Sequence, residues 1–318
     1  VDTSEDLFVL FGGLGSTAIC ALFARSSHNW HDYLQRLLDF EPFSLDVEFE
    51  EEMIRRNFLG YFYAVYYVLG TVIYAILTYL DSSTCHSIIE EDNVHLICDT
   101  LFPVWLPFDI PYSSVRWMIF FLQFLSSLCA VHPAALVCFL IWEASEIICI
   151  HIYMLKKHFK KIIEEGNIRT RPDGIAFCVK YHNHVLQLAE NLRDLAKETV
   201  GYVSLFSALV LGCTEHSIMK TKPIGGILFL LGWLASLMMI CHAGERLMEE
   251  TFSIGAGISE SRWYKADEET KKDFVLILLR SQKPIYLKAS PLGLLNYTLF
   301  VMILRTSYSY MTLLNQTS

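Results

Sequence analysis

The chain has 318 residues, of which 53 % are hydrophobic and only 19 % charged, with a net charge of −9 and a mean hydropathy of +0.37. A soluble domain averages roughly 25 % charged and 45–50 % apolar residues, so this balance excludes a disordered chain and weighs against an ordinary soluble enzyme. Its acidity weighs against nucleic acid, whose binders present a basic face. The composition is that of a membrane protein.

A helix needs roughly 20 mostly apolar residues to cross about 30 Å of hydrocarbon. Six stretches reach or approach that length: 7–24, 58–80, 115–141, 200–218, 224–243 and 292–314. The first begins close to Val1, which is not Met, and no signal sequence precedes it, so an N-terminal region is expected to be missing. Next, Trp30, Tyr33, Leu34, Leu37 and Leu38 recur at helical spacing. The polar connection 81–114 holds Cys85 and Cys98, a pair whose disulfide the sequence leaves open. The other cysteines form no C-x-x-C pair and mostly sit in apolar runs, where Cys acts as a small hydrophobe. The third span contains His132-Pro133, read as a kink, and continues as an amphipathic helix to about residue 163. Glu143, Glu146, Lys156 and Lys157 are expected on a solvated face of that extension.

Phe177, Tyr181, Val185, Leu188 and Leu192 form another helical stripe. His182 and His184 lie two apart on it and point to different sides, so no metal site is read there, and no cofactor is expected anywhere. Val275, Leu278 and Leu279 repeat the pattern ahead of the last span. Arg305 lies midway in that span, where a charge is expensive and defaults to pairing or function. Tyr61, Tyr63, Tyr79, Trp117 and Tyr202 sit near span ends as interfacial anchors. No nucleophile–base order, phosphate loop or Gly-rich cofactor turn appears, so the chain is not read as an enzyme.

Charge sets the orientation. Connections 25–57, 151–199 and 244–290 hold 21 of the Lys and Arg residues, against two in the other connections. The positive-inside rule puts the three basic connections in the cytoplasm and the C-terminus outside. With one further upstream span the true N-terminus is inside. The expected fold is therefore an all-α membrane protein, a seven-helix bundle of inverted topology that lacks its first helix. Its segments are spans over 1–150, with outer loop 81–114, a cytoplasmic helical extension over 151–199, spans over 200–243, cytoplasmic helices over 244–290 and a last span over 291–318.

The C-terminal third carries a resemblance. Gln282-Lys283-Pro284-Ile285-Tyr286-Leu287-Lys288-Ala289 leads into Pro291-Leu292, then Tyr297-Thr298-Leu299-Phe300 and Leu304-Arg305-Thr306-Ser307-Tyr308-Ser309-Tyr310-Met311. Together with Trp263-Tyr264 and the run Trp105–Asp109, this resembles the insect odorant receptor family. The resemblance implies a subunit of a tetrameric, ligand-gated, non-selective cation channel in the plasma membrane of sensory neurons. It further implies a small volatile odorant in the outer half of the bundle, a shared odorant co-receptor as partner, and a central pore for cations. The co-receptor's terminal Val-Leu-Val-Gln-Leu-Lys and its long insertion are absent, so the chain looks like an odorant-tuned subunit. Thr306-Ser307-Tyr308 departs from the gustatory receptors' Thr-Tyr-x5-Gln-Phe pattern. A gustatory-type channel and a non-channel inverted seven-helix receptor are the alternatives.

Tyr308, Thr312, Asn315 and Gln316 share one face of the last helix, suited to a pore stripe. Matching Tyr310-Met311 to the co-receptor's aromatic–Met pair puts Thr312 and Gln316 at its hydrophobic gate positions and Asn315 at the polar filter. The odorant site should be apolar, aromatic and closed. Tyr67, Gly70 and Tyr74 share one face and match family ligand-contacting positions. Phe8 and Phe11 of the first span, Met118, Phe121, Phe124 and Leu125 of the third, and Leu228 of the fifth complete the expected lining.

Overall fold

A computed structural model describes residues 4–40, 47–80, 96–97, 100–101, 104–105, 113–165, 174–221 and 224–317. Cys85, Cys98 and residues 106–109 lie outside these residues. The described residues form helices α1 (Ser4–Arg25), α2 (Ser27–Leu37), α3 (Val47–Leu80), α4 (Ser113–Glu165), α5 (Ile175–Thr221), α6 (Ile224–Ser259), α7 (Glu268–Ser281) and α8 (Tyr297–Thr317). Two short antiparallel pairs accompany them, β1 (Leu96–Ile97) with β2 (Val104–Trp105) and β3 (Lys288–Ala289) with β4 (Gly293–Leu294).

Four helices are long and apolar enough to cross a membrane, and the bent pair α1–α2 makes a fifth if taken as one span. The protein is a multi-pass, all-α membrane protein. Helix α8 is not among those spans, because Arg305, Thr306, Ser307, Ser309 and Thr312 dilute its apolar residues. At 53 residues, α4 is about 80 Å long at 1.5 Å per residue, more than twice the hydrocarbon thickness. Its far end must leave the bilayer and pack on something else.

It packs on the other long helices. Ile148, Ile152, Leu155, Phe159 and Ile162 recur every three to four residues along α4 and are all buried. They face a matching stripe on α5, Tyr181, Val185, Leu188 and Leu192. The chain bends by 70° after α1, so α2 turns across this bundle and buries Trp30, Tyr33 and Leu37. His151 closes the join: Tyr181 Oη lies 3.0 Å from Nδ1, and Nε2 lies 3.3 Å from the Leu37 carbonyl. A carbonyl only accepts, so the Nε2–H tautomer donates to Leu37 while Nδ1 accepts from the Tyr181 hydroxyl. Together α2, the extensions of α4 and α5, α7 and the β3–β4 hairpin make an anchor at one end of the bundle.

The hairpin is the tightest packing in the anchor. Gly293 takes a φ of +126°, which only glycine adopts without strain, and lets the chain reverse into β4. Leu287 and Ala289 are buried, and Ser290 N donates to the Lys197 carbonyl at 3.2 Å. A Cβ at Gly201 would collide with the Ser290 carbonyl, and one at Gly244 with the Leu295 carbonyl. Two glycines thus let the hairpin sit between α5 and α6. Asn296 then accepts from Leu299 N at 2.9 Å and caps α8.

Three local expectations change. Residues 292–296 belong to the hairpin and cap, so the last helix starts at Tyr297 instead of Leu292. Helix α7 buries Thr270, Phe274, Ile277 and Ser281, while Val275 and Leu279 stay exposed, because α5 and α6 approach the other side. Glu146, expected on a solvated face, is only 1 % exposed. Helix α6 runs against α4 along this stretch and supplies Arg246 at 2.9 Å and His242 at 3.9 Å, which compensate the buried charge. Lys156, half-buried, pairs with Glu250 at 2.9 Å.

Candidate ligand cavity

At the end opposite the anchor, α1, α3, α4 and α6 enclose a cavity of about 520 Å³. Its shape comes from where large and small residues fall. Gly12 and Gly13 thin the wall of α1, Gly70 that of α3, and Gly225 and Gly232 that of α6. A Cβ at Gly13 or Gly70 would meet nothing within 4 Å, so at both positions the missing side chain is cavity space. Gly225 and Gly12 work differently, being packed against the rings of Tyr74 and Phe229.

Three tyrosines of α3 fasten that helix to α6. The Tyr67 hydroxyl donates to the Gly232 carbonyl at 2.7 Å and the Tyr66 hydroxyl to the Leu228 carbonyl at 3.3 Å. Ser236 Oγ lies 2.8 Å from the Tyr63 hydroxyl and 2.5 Å from that of Tyr67. Trp233 is held by an Nε1–H bond to Ser207 Oγ at 2.8 Å. Of these, Tyr67 and Trp233 line the cavity, and their polar ends are satisfied within the protein.

The polar groups left for a ligand are few. Thr17 bonds to the Gly13 and Leu14 carbonyls, and Thr71 to the Tyr67 carbonyl, so both hydroxyls are spent on their own helices. Ser126 and Ser127 also line the cavity, and among the described residues their hydroxyls have no hydrogen-bond partner. The site can therefore dissolve a small apolar molecule against glycine-thinned walls and offer one or two hydroxyls to an oxygen on it.

Of the expected lining, Tyr67, Gly70, Tyr74 and Leu228 come together here. Phe11, Met118, Phe121, Phe124 and Leu125 do not line this cavity, and Met118, Phe121 and Leu125 are exposed on the outer surface of α4. The side chain of Phe8 is outside the description. The cavity sits deeper along α4 than expected, at Ser126, Ser127, Ala130 and Val131. Eight residues separate Met118 from Ser126, about 12 Å along a helix. The signals for these positions were the polar Ser126-Ser127 pair inside an apolar run and the Gly12-Gly13 pair in the first span.

The four residues expected to form a pore stripe lie on the side of α8 away from the bundle. Leu299, Ile303 and Ser307 are buried against it, whereas Tyr308, Asn315 and Gln316 are exposed and Thr312 is half-exposed. Arg305 is also exposed. Tyr310 packs on Gly212 of α5, whose missing side chain admits the ring.

The family model described as 7tm Odorant receptor matches residues 2–308. Odorant receptor 85b of Drosophila melanogaster is 23 % identical over 168 residues, covering 52 % of this chain and 43 % of that protein. Odorant receptor Or2 of Anopheles gambiae is 26 % identical over 145 residues, covering 44 % of this chain and 38 % of that protein. The chain thus matches less than half the length of these relatives. The olfactory receptor OR5 from Machilis hrabei, solved in complex with eugenol, superposes with a TM-score of 0.78 at 14 % identity, covering 100 % of this chain and 83 % of that one.

Proposed function

The chain belongs to the 7tm odorant receptor family, a family of receptors and not of enzymes, and from that premise we propose that it is an odorant-binding subunit of a ligand-gated, non-selective cation channel. Its partner is the odorant co-receptor, in a heterotetramer set in the plasma membrane of sensory neurons with the C-terminus outside. The observation that carries this reading is the cavity of about 520 Å³ between α1, α3, α4 and α6, lined by glycines, aromatic rings and two serine residues.

A volatile entering this space exchanges water contact for apolar walls, at roughly 25 cal/mol per Å² buried. Ser126 or Ser127 supplies the bond an ester, alcohol or aldehyde oxygen needs. Helix α6 lines the cavity from Gly225 to Trp233 and continues past it to the base of α8. There His242 Nδ1 lies 2.6 Å from the Tyr297 hydroxyl, and Tyr297 N donates to Glu245 at 3.2 Å. A shift of α6 on ligand binding therefore reaches the first turn of the helix that carries Tyr308, Thr312, Asn315 and Gln316 on its free face. In a tetramer those faces line the pore, with Thr312 and Gln316 as gate and Asn315 as filter.

The test is whole-cell current from cells expressing the chain with and without the co-receptor, challenged with volatile esters, alcohols and aldehydes. An odour-evoked cation current only in the pair is expected. Current from the chain alone would make it a homomeric channel, and a cytoplasmic C-terminus, read by surface labelling of a C-terminal tag, would overturn the reading.

A further inference from the structure

A second chamber of about 280 Å³ lies beside the first, lined among the described residues by α3 and α4. Its walls include Tyr63, Ala64, Tyr67, Leu128, His132 and Leu136. Tyr67 is common to the two cavities and stands between them. Where Val68 and Leu136 form its rim, both side chains are exposed on the flank of the bundle. In a chain that spans the membrane, that flank faces hydrocarbon.

His132 makes this chamber more than a packing gap. Both of its ring nitrogens are buried, and among the described residues neither has a hydrogen-bond partner. Its ring meets Tyr67 edge-on at 6.4 Å between centroids, a contact that uses no nitrogen. The hydroxyls of Tyr63 and Tyr67 are committed to Ser236 and to the Gly232 carbonyl. A neutral imidazole carries one donor and one acceptor, and leaving both unmet in an apolar surrounding is costly. Of the two cavities, the ring borders only this one.

We propose that the chamber between α3 and α4 is a second ligand site, taking a neutral, lipid-soluble molecule that carries a hydroxyl and docks it on His132. A hydroxyl matches the ring because it donates to one kind of nitrogen and accepts from the other. Among the described residues the lining carries no charged group, so it suits a neutral head. Entry is lateral, from the bilayer past Val68 and Leu136, so the occupant is an amphiphile already partitioned into lipid. The site rests on the chain being membrane-spanning and is independent of the channel reading.

The test uses the full chain in lipid nanodiscs and a photoreactive octanol bearing a diazirine, with labelled residues mapped by peptide mass spectrometry. Saturable labelling of the segments around Tyr63–Val68 and Leu128–Leu136 is expected, displaced by excess octanol and about tenfold less well by octane. His132→Leu should lower that labelling about tenfold, while labelling of the main cavity at Val9 and Phe229 is unchanged. His132→Gln, which keeps a donor and an acceptor, should restore much of it. Ala64→Phe, which fills the chamber and leaves His132 in place, should abolish it and serves if the His132 variants do not fold. Label confined to the main cavity, or equal competition by octane and octanol, would overturn the proposal.

Discussion

At the residue scale, the glycines of the main cavity separate into two kinds with opposite consequences. Gly70 faces open space, so Gly70→Ala adds a methyl group to the cavity without displacing anything. Removing a glycine from a helix interior stabilises by about 0.5–1 kcal/mol. The expected outcome is a protein that melts slightly higher yet responds to odorants with altered potency, weakest for the bulkiest ligands. Dose–response curves alongside melting curves check both halves. Gly225→Ala must instead move the Tyr74 ring, which lies 2.5 Å from where the methyl would sit, and is expected to lower melting temperature and response together. The Glu146–Arg246 pair gives a second asymmetry. Arg246 is 41 % exposed and can turn to water, whereas Glu146 is 1 % exposed and cannot. Arg246→Ala takes away the nearer of the two cationic partners of the buried carboxylate and should lower stability clearly, whereas Glu146→Gln should cost less. Equal losses in the two variants, measured as melting shifts in detergent, would show that the carboxylate has another way to be neutralised.

At the element scale, the anchor joins its helices through histidines kept neutral. Burial lowers His151 to about 4, against the hydrogen bond it donates to the Leu37 carbonyl, and burial together with the Arg280 charge lowers His182 to about 4. Both are bases whose folded value lies below the ordinary 6.5, so the unfolded chain takes up their protons first as pH falls. Their contribution is complete above pH 6.5 and is lost progressively toward pH 4. At pH 5 the loss is about 2 kcal/mol per histidine. Melting temperature should therefore fall between pH 7.5 and 5, and His151→Gln with His182→Gln should flatten that slope; an unchanged slope would place the acid sensitivity elsewhere. The stripes that make these helices were legible: Trp30, Tyr33 and Leu37, then Tyr181, Val185, Leu188 and Leu192, keep helical spacing because one side meets a neighbour. The hairpin was not legible. Leu292 and Leu294 read as the start of an apolar helix, and only Gly293 with Asn296 marks the turn and the cap that delay it to Tyr297. For α7, periodicity gave a helix but not its side, because two stripes are apolar and packing chooses Phe274 and Ile277. In the cavity, large apolar side chains drew attention to Phe121 and Leu125, which lie on the outer flank, since size says nothing about which way a helix faces.

At the scale of the whole molecule, two surfaces lack, among the described residues, the partner their chemistry calls for, and they sit on successive helices. On α7, Val275, Leu276 and Leu279 form an exposed apolar stripe in the anchor, with Leu276 65 % exposed. On α8, Val301, Met302, Arg305 and Tyr308 stay outside the bundle. An apolar stripe on a helix that has left the bilayer cannot be covered by lipid, so another protein surface is the only dry place for it. The α8 face differs: its arginine, hydroxyls and terminal amides suit a hydrated passage better than hydrocarbon. Assembly around α8, fastened through α7, meets both demands with one symmetry axis. On the proposed channel reading, Leu276→Glu with Leu279→Glu should then abolish co-assembly with the co-receptor, seen as loss of the large complex on native gels and of current. The cavity, at the opposite end of the bundle, should still bind ligand in a thermal-shift measurement, because α7 contributes nothing to its lining. If the double variant assembled normally, the α7 stripe would be excluded as the subunit contact and the fastening would have to come from α8 itself.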